Sequence, residues 1–117
     1  MARNDFNGDG RSDIVWRASS GLLTDWLGSA NGDFGSNWAN VSVNVPTNWT
    51  MVGTGDFNGD NRSDILWRDD KGLVTDWLGS AAGGFAPNWA GVNVTVPLSW
   101  TIVGTGDFSG DGRSDIL

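Results

Sequence analysis

The sequence contains no cysteine, histidine, glutamate or tyrosine among its 117 residues. Without cysteine there are no disulfide bonds and no thiolate metal sites. Without histidine the chain lacks the usual proton shuttle and the usual zinc ligand, which leaves aspartate as the side chain suited to act as a base. No segment approaches the roughly 20 consecutive apolar residues that a bilayer requires, and the first five residues lack the apolar run of a secretory signal. We therefore predict no membrane span.

The charge is strongly acidic. Fourteen aspartates face six arginines and one lysine, which gives a net charge of -7. Such a chain repels phosphates, so we predict no nucleic acid binding. Nine of the 14 aspartates lie in three short segments, which indicates a local requirement for carboxylates.

The chain is an internal repeat. Asp-Phe-Asn-Gly-Asp begins at Asp5 and again at Asp56, and Asp-Phe-Ser-Gly-Asp begins at Asp107, so both offsets are 51 residues. The stretches 5–55 and 56–106 differ at 16 of 51 positions, and all four tryptophans of one are matched in the other. We predict two blade repeats, 5–55 and 56–106, and the start of a third at 107–117 that supplies a closing strand and a loop.

Apolar residues within a repeat follow a period of two. This alternation predicts strands around Ile14–Trp16, Leu22–Leu27 and Val41–Val45, and a fourth at Trp49–Phe57, where small residues on alternate positions suit close approach to a neighbour. No segment predicts a helix. Four short strands in a unit of this length are typical of a β-propeller blade, so we predict an all-β fold of four-stranded antiparallel sheets packed face to face.

The eight tryptophans have two interpretations. Large flat side chains fill the space between neighbouring blades, which is the simpler reading. The alternative is that some are exposed platforms that stack against sugar rings. Trp38 and Trp89, each in an Asn-Trp-Ala segment of a Gly-rich connection, are the residues for which we expect exposure.

The first Asp-rich loop, residues 5–13, predicts a calcium site. It has oxygen-bearing side chains at positions 1, 3, 5 and 9, glycine at position 6 and a backbone carbonyl at position 7. Ca²⁺ takes six to eight oxygen ligands, and a loop that wraps it turns sharply where φ is positive. The nine positions are similar to an EF-hand loop, but the flanking segments are strands and position 12 is Trp16. We therefore expect the loop to connect two antiparallel strands.

The second loop, residues 56–64, and the third, residues 107–115, repeat the pattern with one change each. Asn61 stands at the sixth position, where asparagine tolerates a left-handed conformation, and Ser109 replaces asparagine at the third. We expect the third loop to bind most weakly. The alternative is an Asx-rich hairpin turn without an ion, in which the packed carboxylates would repel one another. Three bound Ca²⁺ would bring the net charge from -7 to -1.

The repeated loop, followed by Ile-Val-Trp-Arg or Ile-Leu-Trp-Arg and preceded by Val-Gly-Thr-Gly, resembles the FG-GAP/VCBS-type repeats of bacterial extracellular proteins. It is also similar to the calcium loops of the integrin α-subunit propeller. The resemblance implies an extracellular or cell-surface propeller in which each loop joins the innermost strand of a blade to the second and holds one Ca²⁺. The implied ligands are Asp5, Asn7, Asp9, Arg11 (carbonyl) and Asp13; Asp56, Asn58, Asp60, Arg62 (carbonyl) and Asp64; and Asp107, Ser109, Asp111, Arg113 (carbonyl) and Asp115.

Two blades cannot close a ring, so we expect other copies of the chain to complete a propeller or an open filament; the alternative is that these repeats are a fragment of a longer array. The leading hypothesis for function is a calcium-stabilised structural or adhesive module that self-associates and is not an enzyme. A lectin with glycans bound between blades is the alternative. A hydrolase or lyase fragment is a third reading; Asp25 and Asp76 recur in Thr-Asp-Trp, but this repetition favours a turn or a cross-strand hydrogen bond over one active site.

Overall fold

The computed structural model describes residues 4–117, and all of its regular elements are β-strands joined in antiparallel pairs. The predicted all-β class is confirmed. Within this range no helix has the length and apolar character that a membrane crossing requires. The strands are β1 (Ile14–Arg17), β2 (Leu22–Gly28), β3 (Phe34–Ser36), β4 (Val43–Asn44), β5 (Trp49–Gly55), β6 (Asp64–Asp69), β7 (Leu73–Gly79), β8 (Phe85–Pro87), β9 (Val94–Thr95), β10 (Thr105–Gly106) and β11 (Asp115–Ile116).

The strands form three sheets. The first sheet has the order β1-β2-β3, with β4 also paired to β2; the second has the order β5-β6-β7-β8, with β9 also paired to β7; and β10 and β11 form a third hairpin. In the second sheet, β8 and β9 pair with successive parts of one edge of β7. The second sheet is therefore a four-stranded antiparallel sheet whose last strand is split in two.

The sheets are offset from the sequence repeats. Strand β5 lies within the stretch 5–55, yet it pairs with β6 of the stretch 56–106. The second loop connects these two strands, so the prediction that the loop joins antiparallel neighbours is confirmed. As a result, each 51-residue stretch contributes strands to two sheets.

The core lies between the first and second sheets. Its buried members come from both: Phe6, Leu23, Val41, Val45, Ile65 and Trp67. In β2, Leu23 belongs to this core, while Trp26 lies on the opposite face beside Trp16. The period-two pattern therefore separates a face that meets the second sheet from a face that does not.

Two sequence predictions about strands were wrong in detail. The predicted strand Val41–Val45 is reduced to Val43–Asn44, because a turn that directs the Val41 N–H to the Asn37 carbonyl takes its start out of the ladder. At its other end the Val45 N–H donates to the Gly21 carbonyl, which continues the pairing with β2 by one position. Val41 and Val45 are buried, whereas Val43 is 42% exposed. The short strand β3 was not predicted.

The predicted crowding along β5 is confirmed. A β-carbon added at Gly53 would meet Thr105 Cγ2 at 3.1 Å, and one added at Gly55 would meet Ser114 Oγ at 2.7 Å. The small residues thus admit the third hairpin against β5.

The prediction that tryptophans fill the space between sheets is confirmed for part of the set. Trp67 is buried in the core, and Trp49 and Trp77 pack against it. Trp38 and Trp89 are exposed, as expected. The prediction was wrong for three that lie on outward faces and are 38% to 67% exposed: Trp16, Trp26 and Trp100.

Candidate metal centre

Each Asp-rich loop folds around its first aspartate. Asp5 Oδ1 accepts hydrogen bonds from the backbone N–H of Gly8 at 2.8 Å and of Asp9 at 3.1 Å, and its Oδ2 accepts one from Gly10 at 2.8 Å. The equivalent three distances are 2.8, 3.0 and 2.8 Å at Asp56, and 2.7, 3.1 and 2.9 Å at Asp107. The three loops therefore share one conformation.

Two positions of each loop adopt the left-handed conformation. At the sixth position, φ is 84° at Gly10, 67° at Asn61 and 85° at Gly112, which confirms the prediction that glycine or asparagine is needed there. The fourth position is also left-handed, with φ between 77° and 79°, and this was not predicted. The signal was present, because glycine occupies the fourth position in all three copies: Gly8, Gly59 and Gly110.

The ninth aspartate anchors the loop to the neighbouring strand. Asp64 accepts hydrogen bonds from Phe57 N–H and Gly79 N–H, both at 2.9 Å, and Asp13 is bound in the same way. Gly79 ends β7, so this carboxylate connects the start of the second loop to the end of a strand. Asp115 of the third loop accepts from Phe108 and Ser109 instead.

In the first and second loops, the environment of the ninth aspartate disfavours its charged form. Burial raises the pKa of Asp64 to about 6 against the N–H groups that bind it, and the charges of Asp60 and Asp56 raise it further. Burial likewise raises the pKa of Asp13, with Asp9 and Asp5 adding to the rise. A cation placed among these carboxylates would relieve the repulsion.

The fifth aspartate is held by an arginine of its own loop. The distance from Arg11 Nη1 to Asp9 Oδ2 is 3.2 Å, and the equivalent pairs in the second and third loops are at 3.3 Å. Burial acts to raise the pKa of Asp9, but hydrogen bonds from the Arg11 N–H and guanidinium outweigh it and lower that pKa. The Arg113 N–H is the main cause of a lowered pKa at Asp111.

The remaining predicted ligands supply neutral oxygens. Asn7 Oδ1 and Asn58 Oδ1 each lie 3.3 Å from the N–H two residues later. Within residues 4–117, the carbonyl oxygens of the seventh position accept no backbone hydrogen bond: Arg11, Arg62 and Arg113. These carbonyls retain their lone pairs for another ligand.

No three carboxylates among residues 4–117 converge closely enough to hold a metal ion by themselves. The first aspartate of each loop is turned towards its own backbone N–H groups, and the fifth is turned towards arginine. The donor set of carboxylate, amide and carbonyl oxygens suits a hard cation such as Ca²⁺. The loop residues therefore fit Ca²⁺ in chemistry.

The loop and its neighbouring strands also carry a recognisable family pattern. The model of the FG-GAP-like repeat matches the chain twice, over residues 5–67 and 56–117. The chain belongs to the FG-GAP-like repeat family. Each match runs from one Asp-rich loop through the next, which places the second loop and most of β6 in both. No curated protein and no solved structure shows significant similarity.

Neighbouring loops of this FG-GAP-like chain are bound to each other. Asp5 N–H donates to Ser63 Oγ at 3.0 Å, and Ser63 N–H donates to the Asp5 carbonyl at 2.7 Å. Asp56 and Ser114 repeat both bonds at 3.0 and 2.7 Å. The eighth-position serine recurs in every loop, but nothing in its local sequence reveals a partner 58 residues away.

The repeated Thr-Asp-Trp segments of the FG-GAP-like repeats place a buried carboxylate in each sheet. Asp25 Oδ1 accepts a hydrogen bond from Asn37 Nδ2 at 2.9 Å, and Asp76 Oδ1 accepts one from Asn88 Nδ2 at 3.0 Å. These bonds confirm the expected cross-strand role of both aspartates.

An aromatic cleft of about 190 Å³ lies between the first two sheets. Trp49, Trp67, Trp77 and Trp89 line it together with Asn44. Trp89 is 45% exposed, and its ring meets Trp49 edge-on with centroids 5.8 Å apart. The cleft is thus lined largely by indole rings, and that of Trp89 is accessible at its opening.

Proposed function

We propose that this β-propeller-type repeat module is stabilised by Ca²⁺ and has a structural or adhesive, non-enzymatic role outside the cell or at its surface, where copies associate. The observation that carries the proposal is the threefold recurrence of one loop fold around its first aspartate, with oxygen donors at the same loop positions. Membership of the FG-GAP-like family supports it.

Within each loop, the residues have different proposed roles. The first aspartate holds the loop closed through three backbone N–H groups, and the ninth ties it to the neighbouring strand. The third-position oxygen, the fifth aspartate and the seventh carbonyl complete the proposed ligand set. Bound Ca²⁺ supplies the positive charge that offsets the crowded carboxylates. Cation binding would therefore stiffen the β5–β6 hairpin.

The proposal is tested by titrating Ca²⁺ into the wild-type chain and into Asp60→Ala by calorimetry. Asp60 is exposed, so its loss is tolerated by the fold while one ligand of the second loop disappears. We expect two or three Ca²⁺ per wild-type chain and one fewer in the variant. Asp70→Ala, an exposed aspartate outside the loops, is the matched control and should retain the wild-type count.

A wild-type chain that takes up no Ca²⁺ would overturn the proposal. An Asp60→Ala variant with an unchanged count would overturn the assignment of the second loop. Titration with Mg²⁺ adds a selectivity check, because Mg²⁺ demands tighter octahedral geometry and dehydrates reluctantly.

The second candidate is a carbohydrate-binding module, favoured by the aromatic cleft. Half-exposed indoles stack on sugar rings, and Asn44 supplies a polar group at the same cleft. Screening immobilised glycans with wild type and Trp89→Ala separates this candidate from a purely structural role.

A further inference from the structure

The first sheet exposes a tryptophan pair that the second sheet buries. Trp16 and Trp26 pack with ring centroids 5.2 Å apart and an interplanar angle of 58°, and are 48% and 38% exposed. Trp67 and Trp77 hold the equivalent positions at 5.1 Å and 57°. The second pair lies against the first sheet, and Trp67 is only 1% exposed. The same face is thus covered in one sheet and open in the other.

The second sheet carries on its other face a surface equivalent to the one on the first sheet that covers Trp67 and Trp77. A groove of about 300 Å³ on the second sheet is lined by residues that include Arg68, Val74, Val92, Val96 and Trp100. At equivalent positions of the first repeat stand Arg17, Leu23, Val41, Val45 and Trp49, which surround the Trp67 face inside the molecule. The groove therefore repeats a surface that already binds this tryptophan pair.

The arginine of this surface is already in its binding pose. Arg17 donates to the carbonyls of Trp49 at 2.7 Å and Pro46 at 2.9 Å, and its guanidinium lies 5.3 Å from the Trp67 ring centroid. Arg68 donates to the carbonyls of Trp100 at 2.7 Å and Pro97 at 3.0 Å. These bonds already order the Arg68 side chain, so a tryptophan that binds above it costs little further conformational entropy.

We infer that a second copy of this chain docks its Trp16–Trp26 face into the groove of the first, head to tail. The inference rests on the self-association in the proposed function and specifies its surfaces. Trp16 of the second copy stacks on Arg68 as Trp67 stacks on Arg17. Trp38 of the second copy meets Trp100 as Trp89 meets Trp49.

Docking displaces the end of the third hairpin. Ile116 of β11 is the repeat equivalent of Ile65 in β6 and of Ile14 in β1. In the docked pair, β1 of the second copy therefore occupies the position of β11 of the first. Strand β11 pairs with β10 through Asp115 and Ile116. Beside it, the Leu117 N–H donates to the Gly104 carbonyl and the Val103 N–H donates to the Leu117 carbonyl, both at 2.9 Å. Docking of β1 exchanges these bonds for its own.

The test is sedimentation equilibrium in saturating Ca²⁺ over a wide range of chain concentrations. We expect wild type to associate, and Trp16→Ala and Trp100→Ala to weaken association about tenfold or more, as for aromatic anchors at interface centres. Trp89→Ala is the matched control, because Trp89 is similarly exposed but lies outside both surfaces, and it should associate like wild type. Trp38→Ala and Trp100→Ala should be non-additive when combined, since they remove one contact.

A wild-type chain that stays monomeric at millimolar concentration would overturn the inference. So would association that is unchanged in both Trp16→Ala and Trp100→Ala, because the surfaces would then lie elsewhere. Calorimetry on the same samples keeps the proposals apart. Normal Ca²⁺ uptake by a chain that stays monomeric rejects self-association and leaves the calcium proposal standing; association that is unchanged in both variants rejects the docking surfaces alone; and absent Ca²⁺ uptake rejects the calcium proposal.

Discussion

At the scale of single residues, Asp25 is a carboxylate whose charged form is disfavoured by burial. Its side chain has no exposed surface, Asn37 binds one oxygen, and the other oxygen has no hydrogen-bond partner. Burial raises the pKa of Asp25 to about 6, against the Asn37 hydrogen bond, and the charge of Asp13 adds to the rise. The folded chain therefore holds this proton more tightly than the unfolded chain does.

This shift predicts a pH-dependent stability. Because the pKa of Asp25 is raised in the folded chain, its contribution to the free energy of unfolding is fully present below pH 4. That contribution is lost as pH rises to about 6, and the loss is on the order of 3 kcal/mol. Asp25→Asn should remove that part of the slope, because its side chain does not titrate. Urea unfolding of both proteins between pH 4 and pH 7 in EGTA measures it. Equal slopes in wild type and Asp25→Asn would contradict the prediction.

Single positions of the loop differ in how far sequence alone predicts them. The sixth position was predictable because a Ca²⁺ loop needs a left-handed turn there, and Gly10 and Gly112 met that expectation. The role of Ser63 was not predictable, because its partner is fixed by the packing of one loop on another. Local patterns thus specify conformation, whereas contacts between repeats require the fold.

At the scale of elements, the serine bonds make adjacent loops one unit. Ser63→Ala would leave the buried Asp5 N–H without an acceptor, which costs about 1–3 kcal/mol. We expect this loss in the free energy of unfolding, measured by urea denaturation in EGTA. Ser12→Ala changes the same loop position where the side chain is exposed, and should cost far less. Equal losses in the two variants would show that the loop-to-loop bond contributes nothing.

The strands show the same division between local and distant causes. Alternation predicted β1, β2 and β5 because each has one face in contact with another sheet or hairpin. Strand β3 was not predicted, because Phe34-Gly35-Ser36 has no such alternation and forms a strand by pairing with β2. Val43–Asn44 begins later than the alternation predicts, because the turn closed by the Val41 N–H and the Asn37 carbonyl comes directly before it.

At the scale of the whole molecule, Ca²⁺ removal is expected to lower the melting temperature. Ligand binding to the folded state adds about 2.7 kcal/mol per site at a free concentration one hundred times the Kd. Removing it also exposes the carboxylates of three loops to mutual repulsion. Calorimetric melting with excess Ca²⁺, with EGTA and with EGTA plus 1 M NaCl measures both effects, because salt screens exposed charges.

We expect the melting temperature to be highest with Ca²⁺, lowest with EGTA, and partly restored by NaCl. Identical melting temperatures in Ca²⁺ and EGTA would contradict a stabilising role for the ion. Recovery by NaCl equal to that by Ca²⁺ would assign the effect to charge screening without a specific site.

The offset between sequence repeat and sheet has a consequence for how the molecule comes apart. Melting residues 56–106 alone would strip β6 from β5 and β10 from β11, so two strands outside that unit, β5 and β11, would each lose a paired strand. No 51-residue unit can be lost without breaking ladders shared with its neighbours. Under a pulling force, the chain should therefore rupture in steps that follow hairpins, not in the covalent period written in its sequence.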